Sequence, residues 1–246
     1  LPGLDRDLIM AAYAAAPGKE ADSGKFVSPE SSAALVANAF GFFLNRPADF
    51  PLSAVLGMDA SVRSVAIERC LRFPWRGGLH PWLDAVIETD GALIAIESKR
   101  YEPFRPKRTG TFSQAYSRPV WGADMARYEA LRDTLIHDAA DFKLLDAAQL
   151  VKHAFGAVTQ ARLSAKKPHL VYLYASPDRW PGGRPIPESL HALHRQEVAR
   201  FADFVRDDEV EFRSLSWQDL LYALRNSPLL EIQRHALAVA AAFAPL

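Results

Sequence analysis

Residues 83–100 read LDAVIETDGALIAIESKR, with Asp84, Glu97 and Lys99 set into two apolar runs that meet at Asp90-Gly91. Asp-Gly is a favoured two-residue hairpin turn, and such a turn fixes register. It places Asp84 opposite Glu97 and Trp82 opposite Lys99. Opposed residues share a face, as do alternate residues along a strand. Asp84, Glu97 and Lys99 therefore emerge together, at the end of the hairpin remote from the turn. The other face collects Leu83, Ala85, Ile87, Ile94 and Ile96. Opposed carboxylates, with Cβ atoms ~5 Å apart, destabilise a strand pair. A hard divalent cation compensates them, because Mg²⁺ takes oxygen ligands and is commonly held by one or two carboxylates. Lys99, one pleat away, is placed to hold or polarise a water. Metal-activated water is a nucleophile near neutral pH, and the metal also stabilises charge on a phosphoryl oxygen. The chemistry expected is phosphodiester hydrolysis. The ordinary alternative is a Lys99–Glu97 or Lys99–Asp84 ion pair on an exposed sheet face.

The elements that must position these residues follow from pattern. Residues 17–29 read as a loop, and Ser28-Pro29-Glu30 then opens a helix, with proline in its first turn and an acid where the helix dipole favours it. That helix runs through Ala33–Leu44, apolar on most sides and so buried. Residues 62–73 alternate, with Val65, Ile67, Leu71 and Phe73 on one parity, as a strand requires. The hairpin follows. Residues 101–122 show neither period; helices are then expected over Asp124–His137 and Ala147–Leu163. A buried strand (170–175), a Pro/Gly-rich loop (177–187) and an amphipathic helix with Leu190, Leu193, Val198, Phe201 and Phe204 come next. A last strand (210–215) and helices near 216–225 and 228–243 complete a mixed α/β order around one sheet, without internal repeats.

Composition narrows the class. The 246 residues, about half of them hydrophobic, suffice for one substantial core in a single domain (1–246). Lys and Arg together equal Asp and Glu, 29 each, so any nucleic-acid surface is local. The lone Cys70 forms no intramolecular disulfide and suits a reducing compartment. No Arg/Lys-led apolar leader is present, and the chain starts without Met, as a trimmed chain would. The longest apolar stretch, Ala236 to Leu246, is too short to span a bilayer. The expectation is a cytoplasmic protein with no membrane partner. Nucleotide-cradling GxxxxGK[ST] and GxGxxG motifs and a GxSxG elbow are lacking, so ATP-driven and serine-hydrolase readings have no support.

Asp84, a hairpin-length gap, and then Glu97-Ser98-Lys99 between apolar strand residues resemble the PD-(D/E)XK nuclease superfamily, most closely its uncharacterised bacterial members. His80-Pro81-Trp82-Leu83-Asp84 departs from the family's Pro-Asp dipeptide. The resemblance implies a restriction-endonuclease-like fold with a core ordered helix–strand–strand–strand–helix–strand. This chain supplies that order over about 29–176, with an insert at 101–122 and a C-terminal extension at 177–246. It further implies Asp84 and Glu97 as ligands to Mg²⁺ (or Mn²⁺), the Ser98 carbonyl as an added ligand, and Lys99 acting on the attacking water. An additional acid on the first core helix is Glu30, with Glu68 on the first strand as its rival. On the second core helix, Gln149, His153, Gly156 and Gln160 form one stripe. Gln160 is its preferred catalytic member, and a solvated helix surface is its alternative.

The insert carries Arg100, Arg105, Lys107, Arg108 and Arg118 against one acid, Glu102, interleaved with Tyr101, Phe104, Phe112, Tyr116 and Trp121. Basic residues contact phosphates and aromatics stack on unpaired bases. Arg105, Lys107, Arg108 and Arg118 are therefore expected to bind nucleic acid, with DNA preferred; the alternative makes the aromatics core anchors. His191 and His194, at i, i+3, lack a third ligand nearby in sequence for a metal site, and Cys70 is expected to be a buried structural thiol. The leading expectation is a Mg²⁺-dependent endonuclease, with a homodimer left open. Its rivals are a catalytically inactive nucleic-acid-binding or assembly protein on the same fold, and a hydrolase of another phosphoester.

Overall fold

The computed structural model describes residues 1–17, 24–105, 110–137 and 141–246. Its strands are β1 (Val62–Cys70), β2 (Trp82–Thr89), β3 (Ala92–Lys99), β4 (Lys167–Tyr174) and β5 (Glu211–Ser216). They lie in chain order across one mixed sheet. The first three are antiparallel neighbours, and β4 and β5 continue parallel to β3. The Asp90-Gly91 turn sets the expected register, with Ala85 opposite Ile96 and Glu88 opposite Leu93. The helices are α1 (Arg6–Ala15), α2 (Ser32–Phe40), α3 (Leu52–Leu56), α4 (Ala126–Ile136), α5 (Ala147–Leu163), α6 (Glu188–Phe204), α7 (Trp217–Arg225) and α8 (Leu230–Ala242).

Each sheet face carries a core. On one, Ala85, Ile87, Ile94, Ile96 and Val171 meet Leu35 and Val36 of α2, Trp217 and Leu220 of α7 and Ile232 of α8. On the other, Val86, Leu93, Ala95 and Leu170 meet Val151, Ala154 and Val158 of α5, Leu131 of α4 and Phe201 of α6. Side chains of this size contribute roughly 1.5–3 kcal/mol each when fully buried. Residues 177–246 are integral to this packing: they supply a fifth strand and the helices covering much of one face. Among the described residues no helix is long and apolar enough to cross a membrane.

Two local expectations are corrected. Val65 and Ile67 enter the first core as predicted, whereas Leu71 and Phe73, of the same parity, enter the second. The switch occurs at Glu68, whose φ is +49°. A left-handed conformation costs a non-glycine residue about 1–2 kcal/mol and reverses the alternation beyond it. The partner strand is irregular at the same level. Pairing passes from Ile67–Ala85 to Arg69–Leu83 without a Glu68–Asp84 pair, and Leu83 joins the second core instead of the first. The break in the β1–β2 ladder thus falls on two carboxylates.

The first core helix also begins later than Ser28-Pro29-Glu30. The Ser31 hydroxyl accepts the Ala34 N–H at 3.0 Å and caps α2. Residues 28–31 form a preceding turn, closed by Ser31 N–H on the Ser28 carbonyl at 3.0 Å. Glu30 therefore precedes the helix. A serine three residues before an amide it can cap outcompetes the proline signal.

Helix α5 is steered by a buried carboxylate. Glu197 of α6 accepts the backbone N–H groups of Lys143, Leu144 and Leu145 at 2.7–2.9 Å, and Asp146 then caps α5 through Gln149 N–H at 2.9 Å. A short turn joins α5 to β4, and Lys167, which opens β4, pairs with Ala92. The N-terminal turn of α5 consequently stands at the Lys99 end of β3.

Candidate active site

The β2–β3 ladder stops at Ala85–Ile96. Beyond it, the Asp84 carboxylate enters the gap, and its Oδ2 accepts the Ser98 N–H at 2.6 Å. Glu97 is 2 % exposed. Its Oε1 takes the Lys99 ammonium, and its Oε2 stands 3.2 Å from His153 Nδ1 of α5. Asp84, Glu97 and Lys99 open together on a cavity of about 540 Å³, lined also by Glu30, Glu68, Glu102, Arg105, Trp82 and Gln149.

The cavity is acidic: five carboxylates line it against Lys99 and Arg105. Burial, and then the charge on Glu97, push the Asp84 carboxyl well above the ordinary carboxylate range. Burial pushes Glu97 up as well, but Lys99 and then His153 outweigh it and hold that carboxyl at about 2. Lys99 loses some basicity to burial, yet Glu97 and Asp84 more than restore it and keep the ammonium protonated. One carboxylate is thus satisfied by the lysine, while the other retains an oxygen, Oδ1, with no donor among the described residues. This donor set fits a hard divalent cation, which takes carboxylate oxygens, keeps several waters and accepts substrate phosphates. Among the described residues no group of three or more His, Cys, Asp or Glu side chains is arranged to hold a metal ion.

The other predicted positions sort as follows. Glu30 and Glu68 both line the cavity, and Glu30 accepts Arg105 Nη2 at 2.6 Å. Gln160 does not line it: its Nε2 donates to the Arg72 carbonyl at 2.8 Å. Of the stripe on α5 only Gln149, at the end remote from Gln160, lines the cavity. Gln149 reaches the cavity, and Gln160 is three helical turns further, about 16 Å. Gly156 on the same stripe is a packing position, where a Cβ would meet Pro81 Cγ at 2.6 Å and Leu71 Cβ at 3.1 Å. Ser98 is buried, its N–H on Asp84 and its hydroxyl accepting Trp217 Nε1 at 3.2 Å, and it does not line the cavity.

Of the basic insert, Arg105 stands at the cavity rim, and Lys107 and Arg108 lie outside the described residues. Arg118 is exposed, its guanidinium 4.8 Å from the Trp75 ring centre. The aromatics are anchors: Tyr101, Phe104, Tyr116 and Trp121 are buried and Phe112 packs partly buried against the second core. Stacking these rings on bases is therefore not their role. His191 bonds Ser176 Oγ at 3.1 Å and His194 bonds the Tyr172 hydroxyl at 3.0 Å, so neither is set up as a metal ligand. Cys70 is a free thiol at the end of β1, half-buried instead of buried. Sequence reasoning gives no role to Glu102, which accepts Ser32 Oγ at 2.9 Å and Arg100 N–H at 2.8 Å and braces the strand end beside Lys99. Its signal is its standing as the lone acid of a basic stretch.

A five-stranded mixed sheet, flanked by helices and carrying an acid–acid–lysine set where its central hairpin opens, defines a restriction-endonuclease-like protein. A family model described as "Restriction Endonuclease associating with ARP" matches residues 18–238. The chain belongs to that family, which points to a nuclease-like role. No significant match was found among curated proteins or among solved structures.

Proposed function

We propose that this protein is a metal-dependent nuclease that hydrolyses phosphodiester bonds, with DNA as its preferred substrate. The observation that supports this reading is the meeting of half-buried Asp84 and buried Glu97 with Lys99 in one open, acidic cavity. Asp84 and Glu97 would hold Mg²⁺ or Mn²⁺, and a bound cation of that kind activates water and neutralises charge on a phosphoryl oxygen. The chain's own residues do the rest. Lys99, kept protonated by its two carboxylate neighbours, donates hydrogen bonds to the attacking water or to the phosphate and takes no proton from either. Lys99 holds Glu97, with His153 Nδ1 3.2 Å away, and the Ser98 N–H holds Asp84, so neither carboxylate must reorganise far as charge develops. The excess of carboxylates makes the cavity repel a bare phosphodiester, which ties substrate entry to the cation. The family description names ARP as an associate, and ARP is the further partner we propose.

The test is cleavage of supercoiled, linear and single-stranded DNA and of RNA in Mg²⁺, Mn²⁺ and EDTA, for the wild type and Lys99→Ala. Cleavage should require the metal, be strongest on DNA and vanish in the variant. Equal cleavage in EDTA, or by Lys99→Ala, would overturn the assignment.

A further inference from the structure

Ser28 and Tyr101 line the acidic cavity and also a second cavity, of about 440 Å³. That volume is in the range of small-molecule sites, roughly 300–1,000 Å³. Its charged lining consists of Arg100 and Arg179, the latter paired with Asp178 at 2.8 Å outside the lining, and its aromatic walls include Tyr101, Trp180 and Phe243.

Arg100 directly follows Lys99 but is built differently. It is 3 % exposed. Its Nη1 and Nη2 donate to the carbonyls of Pro29 and Phe243. No carboxylate pairs with its guanidinium among the described residues, and its buried Nε has no acceptor. Tyr101 is 1 % exposed, and its hydroxyl is also without a partner. Buried charges are normally paired and buried donors bonded, because desolvation is costly otherwise. A buried guanidinium and a phenol left unsatisfied beside an open cavity call for an anionic acceptor. Arginine matches phosphate in particular, through its fork of N–H donors.

The walls add a second requirement. Trp180 stacks on Tyr101 with ring centres 5.6 Å apart and planes at 23°. The guanidinium groups of Arg105 and Arg184 lie 4.7 and 5.6 Å from the Trp180 ring centre. Aromatic faces flanked by arginines stack bases with little regard to sequence. A phosphate site against an aromatic wall has the chemistry of a nucleotide.

We infer that the cavity between Arg100, Tyr101 and Trp180 is a nucleotide subsite, its phosphate held by Arg100 and the Tyr101 hydroxyl beside Arg179, and its base against the partly exposed Trp180. In its strand form the inference rests on the nuclease reading: the nucleotide is one unit of the strand whose backbone enters the acidic cavity next door. A free nucleotide has the same chemistry.

The experiment is calorimetric titration of the whole protein in EDTA with 5′-deoxyadenosine monophosphate, deoxyadenosine and inorganic phosphate. The monophosphate should bind at least tenfold more tightly than either fragment. Tyr101→Phe and Trp180→Leu should each weaken it at least threefold. Arg179→Ala, at an exposed position, serves as a second variant should either fail to fold by circular dichroism. No binding of the monophosphate, or phosphate binding as tightly, would overturn the inference even if DNA is cleaved. Binding without any nuclease activity would leave the subsite standing and remove the nuclease reading. Competition between the monophosphate and a labelled single-stranded oligonucleotide assigns the site to a strand; binding without competition assigns it to the free nucleotide.

Discussion

Lys99 and Arg100 are consecutive in the chain, and they open on two cavities of opposite character. Lys99 faces five carboxylates, and Arg100 lines a space with none. Consecutive residues of an extended strand point to opposite sides, so the end of β3 serves both spaces at once. The lysine's charge is taken up by Glu97 and Asp84, which leaves the acidic cavity short of positive charge. The arginine is held by two backbone carbonyls, which orient it without neutralising it. The two cavities thus differ in which charges the protein has left unpaired, and net composition, balanced here at 29 against 29, conceals the difference.

The sharpest way to break this contrast is Lys99→Ala. Cleavage should fall by about 10²–10³-fold or more, as when a donor to developing charge is lost. The buried Glu97 would also lose its cation, which destabilises the metal-free protein by roughly 3–5 kcal/mol. Activity on plasmid DNA and chemical denaturation with and without Mg²⁺ check both, and added Mg²⁺ should recover part of the stability.

Asp84→Asn tests the same cavity with the opposite sign. It removes the carboxylate that burial and Glu97 disfavour while leaving an oxygen for the Ser98 N–H. Cleavage should be lost, yet metal-free thermal stability should equal or exceed that of the wild type. Mg²⁺ should raise the melting temperature of the wild type, by ~2.7 kcal/mol equivalent at a hundredfold excess over Kd, and leave that of Asp84→Asn and Glu97→Gln nearly unmoved. A wild-type response in either variant would place the cation elsewhere.

Gly156→Ala reaches the acidic cavity through its scaffold. The new methyl would overlap Pro81 and Leu71, which lie just before β2 and just after β1. Overpacking of this kind costs roughly 1–3 kcal/mol, and the displacement of β2 should lower cleavage as well. A variant with unchanged denaturation midpoint would show that the helix yields instead.

Behind the aromatic wall, His194 packs against Phe104 with ring centres 5.8 Å apart. Burial, and then the nearby His191 and Arg195, push its imidazole down to about 4. Its folded value lies below the unfolded one, so the unfolded chain takes up the proton first. Stability should be complete above about pH 6.5 and fall as pH drops toward 4, by up to ~3 kcal/mol. Denaturation midpoints across that window should flatten in His194→Gln; an unaltered acid limb would assign the loss to other groups.

The smallest effect concerns the rim. Replacing Arg105, Lys107 and Arg108 by alanine should weaken DNA binding and flatten its log–log salt dependence by about one unit for each phosphate interaction removed. Cleavage at saturating DNA should be retained. Binding isotherms of Glu97→Gln protein at several salt concentrations provide the measurement, and an unchanged slope would turn the insert away from the substrate.

Much of this is legible in the chain. Asp90-Gly91 dictates a two-residue turn, and every pair of the observed β2–β3 ladder obeys it. That turn brings Asp84, Glu97 and Lys99 to one end of the hairpin, although no Asp84–Glu97 pair forms in the ladder and Asp84 reaches the Ser98 N–H instead. What escapes are positions where a local preference is overridden. Glu68 adopts a left-handed backbone that no period-two reading anticipates, and so alternation puts Leu71, Phe73 and Leu83 in the wrong core. Helical spacing finds the stripe of α5 but not which end meets the sheet, so it cannot favour Gln149 over Gln160. The aromatics of residues 101–122 have no periodicity because each anchors a separate turn of irregular chain, and irregular chain looks the same whether its rings face solvent or core. Arg100 reads as one more surface cation for the same reason; its two carbonyl acceptors lie 71 and 143 residues away.

The gap that Asp84 fills in the β2–β3 ladder also supplies a reporter. Ser98 is 1 % exposed, and its amide proton is shared with a carboxylate at 2.6 Å. A short hydrogen bond to a carboxyl oxygen shifts an amide proton downfield in a nitrogen–proton correlation spectrum, the more so as that oxygen gains charge. The Ser98 cross-peak should move when a cation draws on Asp84, and move again in Asp84→Asn, while its neighbours in β3 stay in place. One resonance of the protein backbone would then show whether the acidic cavity is filled, with no substrate, label or turnover required.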